Sequence, residues 1–352
     1  MILPSDFLKT RYSIFYNEYV NSDIKIASVG DLHLSKLVGM KDIDRISRQL
    51  EIEKPHYIYL LGDLLDSPLE LLKGYKREDL KALIKNCSSI AQIGVMIILA
   101  THDFIDESKP DYPDLINDTD MWQEADKIPG VHVLNDKTYQ DEKIFIAGYR
   151  QKREAYYDLL NGNRENAISY KSDFLKHKEL LPESSIALPK ILLTHSPEPI
   201  LNPVTQAIAS HYDYIVTGHY HNGCQPIILD DIVPGHRGII TPKKSFLPKY
   251  ARGIVRLDEA FYSSYKYMDE DSSSLQDELS INPNCYPYLV FNGGWTKIQD
   301  CVPQQLQWLD SVCYRQMDVT TLTSDEQYKG KPRIYSKRKY LNKKYDTKTR
   351  IC

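Results

Sequence analysis

The feature that most constrains this chain is a set of five short polar segments, each of which directly follows an apolar run. The segments combine Gly, Asp, Thr and His: Gly30-Asp31-Leu32-His33, Gly62-Asp63-Leu64-Leu65-Asp66, Ala100-Thr101-His102-Asp103, Thr194-His195 and Gly218-His219-Tyr220-His221. The runs before them have the length and apolar character of buried strands. Between the runs, residues 41–53 and 80–87 carry apolar side chains at helical spacing. Strands that alternate with helices predict an α/β layered sheet.

The residue types in these segments indicate a metal site. Ligands bind at the carboxyl ends of the strands in such a sheet, so we expect the five segments to meet. Imidazole and carboxylate ligands suit Mn, Fe and Zn better than Ca. Residues two apart in an extended segment point the same way, so Asp31 with His33, and His219 with His221, can each present two ligands. A glycine before a ligand permits a tight backbone turn.

The ordered set resembles the calcineurin-like metallophosphoesterase superfamily, whose motifs are GDxH, GDxxD, GNH[DE], a single His and GHxH. The chain matches the first, second, fourth and fifth motifs, and residues 100–103 depart from the third. The resemblance covers about residues 22–257. It implies an α/β (α+β layered) fold, in which a two-sheet β-sandwich is flanked by helices.

The resemblance also implies a site for two divalent metal ions, in which Asp63 bridges both. The other implied ligands form one set for each ion: Asp31, His33 and His221, and His195 with His219. The ions would be Mn, Fe, Zn, Ni or Co, with Mn favoured.

The third segment holds the departure from the family. Thr101 stands where the family has a metal-binding Asn, and a hydroxyl is a poorer ligand than an amide oxygen. We therefore expect a weakened second metal site. By the same resemblance, His102 would contact the phosphoryl oxygen or protonate the leaving group, and Asp66 and Asp103 would orient histidines such as His102.

The implied function is hydrolysis of a phosphoester by a hydroxide that the two metal ions generate. Protein Ser/Thr phosphatases of this superfamily carry Arg-Gly after the second Asp of the second motif, whereas this chain has Ser67-Pro68. That difference favours a phosphodiesterase. Two alternatives stay open: a nuclease-like phosphodiesterase that uses a basic tail, and a catalytically impaired scaffold in which Thr101 has replaced the Asn.

The net charge of −4 is unevenly distributed. Residues 329–352 hold ten basic residues and one acidic residue, so this tail carries +9 and the rest of the chain carries −13. We predict a catalytic domain over residues 1–257, an extension over 258–328 that packs on or follows it, and a flexible basic tail over 329–352. The expected partners are a small or medium phosphoester substrate and, through the tail, nucleic acid or an anionic surface.

Two further expectations come from composition. Residues 103–127 hold nine acids and two lysines, which favours a solvated excursion from the sheet. No apolar stretch approaches the ~18–20 residues of a membrane span, and the six cysteines include no CxxC pair. We therefore expect a cytoplasmic chain with reduced cysteines.

Overall fold

The computed structural model describes residues 7–35, 38–66, 76–100, 102–103, 119–150, 177–196, 209–219, 254–256, 288–291, 315–330 and 332–340. The α-helices within these ranges are α1 (Met40–Glu53), α2 (Arg77–Ile90) and α3 (Thr119–Asp126), and Lys178–Leu180 and Glu326–Tyr328 form short 3-10 helices. The strands are β1 (Phe7–Tyr16), β2 (Ile24–Val29), β3 (Tyr57–Leu60), β4 (Gly94–Ile97), β5 (Val131–Val133), β6 (Lys137–Gln140), β7 (Phe145–Tyr149), β8 (Lys190–Thr194), β9 (Tyr214–Thr217), β10 (Ile254–Arg256), β11 (Tyr288–Phe291), β12 (Arg315–Thr323) and β13 (Arg333–Tyr340). None of the described helices is long and apolar enough to cross a membrane.

The strands form two mixed sheets. The first has seven strands in the order β13-β1-β12-β2-β3-β4-β5, and the second has six in the order β10-β11-β9-β8-β7-β6. Strands β2 to β5 are parallel, as are β7, β8, β9 and β11. Parallel pairing places the carboxyl ends of neighbouring strands at one edge of each sheet.

Strand β3 shows how the sequence builds two packing layers. Side chains alternate along a strand, so Ile58 and Leu60 face the core beneath the helices while Tyr57 and Tyr59 face the core between the sheets. All four side chains are fully buried. A strand buried on both faces reads as a continuous apolar run, which is the pattern expected for a central parallel strand.

Helix α1 covers the outer face of the first sheet. Its buried stripe is Ile43, Ile46 and Leu50, at the spacing of one helix face. The helix ends where Lys54 adopts the left-handed conformation and donates its N–H to the carbonyl of Leu50. The predicted architecture of a two-sheet sandwich flanked by helices is confirmed.

The predicted flexible tail is wrong for residues 333–340. This segment forms β13, which pairs antiparallel with β1 and places Tyr335 opposite Tyr12. The prediction failed because it relied on the charge of this segment. The backbone of residues 333–340 nevertheless forms ladder hydrogen bonds with β1. Residues 341–352 lie outside the described residues.

The acid-rich segment 103–127 also contains structure that its composition concealed. Its last turns form α3, and Met121, Trp122 and Ala125 are buried in the core beneath the helices. Glu124 and Asp126 of the same helix are exposed, so net charge hid the apolar face.

The predicted domain boundaries at residues 257 and 328 stay a prediction. Strands β11 and β12, which come after residue 257, are built into the two sheets beside β9 and β2.

Candidate metal centre

The described strand ends meet at the carboxyl edge of the two sheets. The N–H of Asp31 donates to the carbonyl of Gly62 at 3.0 Å, and the N–H of His33 donates to the carbonyl of Asp63 at 3.0 Å. The Asp31 carboxylate accepts the backbone N–H of His219 with Oδ1 at 3.0 Å and Oδ2 at 3.1 Å. Backbone hydrogen bonds thus join the ends of β2, β3 and β9 before any metal is considered.

Four of the predicted ligands have backbone in the left-handed region. The φ angles are 49° at Asp31, 48° at His33, 48° at Asp63 and 67° at His219. Residues other than glycine rarely adopt this backbone conformation, and those that do are concentrated at functional sites. The fold therefore tolerates local strain to aim these four side chains.

The glycines before the ligands have different roles. Gly62 has a φ of 81° and needs the freedom of glycine, whereas Gly30 and Gly218 do not have positive φ. At Gly218 the requirement is space, because a Cβ there would lie 3.1 Å from Oδ2 of Asp31. The expectation that every glycine provides a turn holds for Gly62 alone.

Two groups of candidate ligands share one carboxylate. The ligand atoms of Asp31, His33 and Asp63 lie within 4.8 Å of one another, and so do those of Asp63, His195 and His219. All five residues are buried. Asp63 is the shared member, which is the position of a bridging ligand in the predicted two-metal site.

The hydrogen bonds of His195 test whether this group fits a metal. Its Nδ1 lies 2.7 Å from the carbonyl of Leu61, which can only accept, so Nδ1 carries a proton. Its Nε2 then faces the cluster, 3.0 Å from Oδ2 of Asp63 and 3.2 Å from Nδ1 of His219. Atoms with lone pairs at these separations need a proton or a cation between them. A histidine fixed through its other nitrogen in this way is the usual arrangement of a metal ligand, so the residues fit a divalent cation.

The pKa shifts follow the same geometry. Burial lowers the pKa of His195, but the charge and hydrogen bond of Asp63 outweigh burial and raise it to about 9. Burial raises the pKa of Asp63, and His195 followed by other histidines lowers it well below its usual range. Burial lowers the pKa of His33 to about 4, so this imidazole is neutral at pH 7, the form that binds metals.

His102 lies beside the first group without belonging to it. Its ring meets the ring of His33 edge-on, with centroids 5.1 Å apart. Its Nδ1 lies 2.6 Å from the carbonyl of Asp66, and its backbone N–H donates to Oδ1 of Asp63 at 3.2 Å. The ring is therefore oriented by a main-chain carbonyl, and Nε2 is the nitrogen directed away from that contact.

Of the two predicted orienting acids, Asp66 contacts two histidines and Asp103 contacts the backbone. The Asp66 carboxylate lies 3.8 Å from Nδ1 of His33, while its carbonyl holds His102. The Asp103 carboxylate contacts backbone rather than a histidine: it accepts the N–H groups of Leu64 at 2.7 Å, Leu65 at 3.1 Å and Ala100 at 3.0 Å. Asp103 thus joins the loop that carries Asp63 to the end of β4.

Burial, followed by the charge of Asp63, raises the pKa of Asp103 to about 7. A second contact holds the same residue, because the indole N–H of Trp122 donates to the Asp103 carbonyl at 3.1 Å. Sequence reasoning missed Trp122 and the carbonyls of Leu61 and Asp66. Main-chain groups carry no residue-type signal, and the tryptophan lies nineteen positions away from its partner in the chain.

Thr101 and His221 lie outside the described residues, so their predicted roles stay predictions. Ala100, next to Thr101, has no positive φ, as expected for a position that accepts alanine in place of glycine.

The comparison with protein families agrees with the site. A family model described as calcineurin-like phosphoesterase matches residues 24–223. No curated protein matches significantly. Among solved structures, the chain is similar to a dimetal phosphatase from Danio rerio at 11% identity and a TM-score of 0.34, over 57% of this chain and 82% of that one. Because the family model spans more than half of the sequence and includes every described candidate ligand, the chain belongs to the calcineurin-like phosphoesterase family of metal-dependent phosphoester hydrolases.

Proposed function

We propose that this protein hydrolyses phosphodiesters with the aid of two divalent cations, of which Mn²⁺ is favoured. The observation that carries the proposal is the pair of ligand groups that share Asp63. Asp31, His33 and Asp63 would hold one cation, and Asp63, His195 and His219 the other. His221 and Thr101 would complete these sets by resemblance to the family.

The bound cations would neutralise phosphate charge and supply an activated water, so the protein needs no covalent nucleophile. The residues of the protein would bind the cations, exclude bulk water and move a proton. The five described ligands are buried, whereas His102 is only partly buried. Because the Asp66 carbonyl accepts the Nδ1 proton of His102, Nε2 is the atom that would give a proton to the leaving oxygen, and it would do so from the doubly protonated ring.

The preference for diesters depends on charge. A monoester dianion carries more negative charge than a diester and benefits from a guanidinium that binds it bidentately. The family's phosphatase subclass places that Arg after the residue equivalent to Asp66, and this chain has Ser67-Pro68 there. A substrate with one negative charge relies less on such a group.

The test compares two substrates on one preparation. Protein stripped with EDTA and reloaded with Mn²⁺ is assayed with bis-p-nitrophenyl phosphate and p-nitrophenyl phosphate. We expect a higher kcat/KM for the diester and loss of both activities in EDTA. His102→Ala should lower kcat by about 10²–10⁴-fold while bound Mn²⁺ is unchanged. His177→Ala is the matched control, because its Nδ1 contacts Glu179 and not the metal centre.

The result that would overturn the proposal is also specific. A higher kcat/KM for the monoester would overturn the diester preference and leave a phosphatase. Absence of hydrolysis of either substrate with Mn²⁺ bound would favour the catalytically impaired scaffold instead.

A further inference from the structure

The outer strand pair of the seven-stranded sheet carries a group of aromatic and basic side chains that the metal centre does not use. We call it the Tyr–cation stripe, and its members are Tyr12, Tyr16, Lys329, Arg333, Tyr335 and Lys337. It lies on β1 and β13 and on the turn that precedes β13. Within the described sheet, β13 is the last strand at this edge.

The tyrosines and cations are stacked on one another. The rings of Tyr12 and Tyr335 are nearly parallel, with centroids 4.9 Å apart and 12° between their planes. The ammonium group of Lys337 lies 5.1 Å from the Tyr12 centroid and 5.9 Å from that of Tyr335. The guanidinium of Arg333 lies 5.4 Å from the Tyr335 centroid. The ammonium group of Lys329 lies 5.3 Å from the centroid of Tyr16.

The strand register places two of the cations on one face of β13. Arg333 and Lys337 are each two positions from Tyr335, so all three point to the same side of β13. Two residues of a strand span about 6.6 Å, so the Cα atoms of Arg333 and Lys337 are about 13 Å apart along the strand. Both are exposed, whereas Tyr335 is half-buried.

The charge of the stripe is not neutralised by the described acids. Lys329, Arg333 and Lys337 form no ion pair within the described part of the chain. The carboxylate of Glu53 contacts Tyr12 of the stripe. Glu53 is buried and accepts hydrogen bonds from the hydroxyl of Tyr12 and the side-chain amide of Gln49, both at 2.7 Å. The rings thus hold three cations in fixed positions without cancelling their charge.

We propose that the Tyr–cation stripe binds the phosphate backbone of single-stranded nucleic acid. A linear row of cations suits an extended polyanion. The ring faces contact the cations and each other, so they are not open for bases to stack on. Contacts between the cations and phosphates would therefore supply the affinity, and binding would not depend on the nucleotide sequence. A membrane surface fits less well, because the large exposed apolar side chain of β13, Ile334, projects from the opposite face.

The position of the stripe relates it to the metal centre. Strand β1 is parallel to β12, and β12 is antiparallel to β2, so the amino end of β1 lies at the edge where β2 leads into Asp31. Lys337 pairs with Thr10 near that amino end. Three strand spacings separate β13 from β2, or about 14 Å. The binding itself does not depend on the proposed catalysis.

The test measures binding of the full chain in EDTA, so that hydrolysis cannot interfere. The probe is a fluorescein-labelled 15-residue oligothymidylate, followed by anisotropy at several salt concentrations. We expect Arg333→Gln/Lys337→Gln to weaken binding at least tenfold. The slope of log K against log salt should fall in magnitude by about 1.4, because each single-strand phosphate contact contributes about 0.7. The matched control is Lys85→Gln/Lys127→Gln, which removes two exposed cations from α2 and the segment after α3 and should change affinity less than twofold.

Three results would overturn the inference. The first is no binding by the wild-type chain, and the second is an equal loss of affinity in the two double variants. The third is equal competition by oligoglutamate of the same charge, which would assign the stripe to another polyanion. In the first case, binding to phosphatidylserine vesicles would assign the stripe to an anionic surface. Because EDTA removes catalysis from the assay, failure of the proposed phosphodiesterase activity would leave the binding result unaffected.

Discussion

Gly62 and Ala100 are in such close contact that a Cβ added at residue 62 would lie 2.6 Å from the Cβ of Ala100. The same Cβ would lie 3.0 Å from Nδ1 of His195, the nitrogen that donates to the Leu61 carbonyl. The alanine that replaces the family's glycine in the third motif therefore occupies the space that Gly62 leaves open. The two strand ends are packed against each other at the level of the metal ligands.

Gly62→Ala should lower the free energy of unfolding by about 2–5 kcal/mol. A left-handed conformation costs alanine about 1–2 kcal/mol, and overpacking adds about 1–3 kcal/mol. Ala100→Gly in the same chain should recover the overpacking part but not the conformational part, because Gly62 has a φ of 81°. Urea denaturation of both single variants and the double variant measures the coupling. Additive single effects would show that the contact does not matter.

Asp103→Ala should weaken both stability and metal binding. The carboxylate accepts three backbone N–H groups, two of which follow Asp63 directly in the chain. Leaving buried donors without acceptors costs about 1–3 kcal/mol each, so we expect a loss on the order of 3 kcal/mol after local relaxation. Asp103→Asn keeps one acceptor oxygen and should fall between the wild type and Asp103→Ala.

Calorimetric titration with Mn²⁺ separates a positioning role of Asp103 from a purely structural one. A positioning role predicts weaker Mn²⁺ binding at temperatures where both variants remain folded, with Asp103→Asn partly restoring it. Unchanged Mn²⁺ affinity in folded Asp103→Ala would assign the residue to stability alone.

The shared position of Asp63 predicts unequal metal losses. Asp63→Ala removes a ligand from both groups, so bound Mn²⁺ should fall from two ions per chain to none. His33→Ala removes a ligand from one group only, and one ion should remain. Elemental analysis after gel filtration measures the ratio, with His177→Ala as the unchanged control. Equal losses in Asp63→Ala and His33→Ala would contradict the bridging role.

Residue types at strand ends predicted much of this site. Each of the apolar runs that precede the five segments forms a strand, and the described members of the segments converge at one edge. The prediction succeeded because a parallel strand buried on both faces has a distinctive sequence, and because parallel pairing alone determines where its end lies.

What the sequence did not reveal depends on long-range pairing. Strand β1 pairs with β12 more than 300 positions away, through contacts such as Arg11 with Asp318 at 2.7 Å. Both strands contain buried polar residues, so neither has the continuous apolar sequence that would have identified it as a buried strand. The role of Asp103 was hidden for a related reason, because its partners are backbone N–H groups that any residue supplies.

Thr101→Asn should strengthen the second metal site. An amide oxygen is a better ligand than the threonine hydroxyl, and the family carries Asn at this position. Titration of metal-free protein with Mn²⁺ should show a tighter second binding step in the variant and an unchanged first step. Equal affinity and stoichiometry in the two proteins would show that residue 101 does not limit this site.

His56 should make stability depend on pH below neutrality. Its Nδ1 accepts the backbone N–H of Lys25 at 2.9 Å, a bond that the neutral ring alone can accept. Burial, followed by the charges of Lys143 and Lys25, lowers the pKa of His56 below its ordinary value of 6.5. A lowered folded pKa means that the contribution of His56 to stability is complete above pH 6.5 and is lost as pH falls through the folded pKa.

The variant His56→Asn keeps an acceptor for the Lys25 N–H but does not titrate. Because the other histidines are the same in both proteins, their effects cancel in the difference between wild type and variant. Urea denaturation at pH 7 and pH 5 should show the wild type losing more stability than His56→Asn. An equal loss in both proteins would mean that the folded pKa of His56 is not lowered.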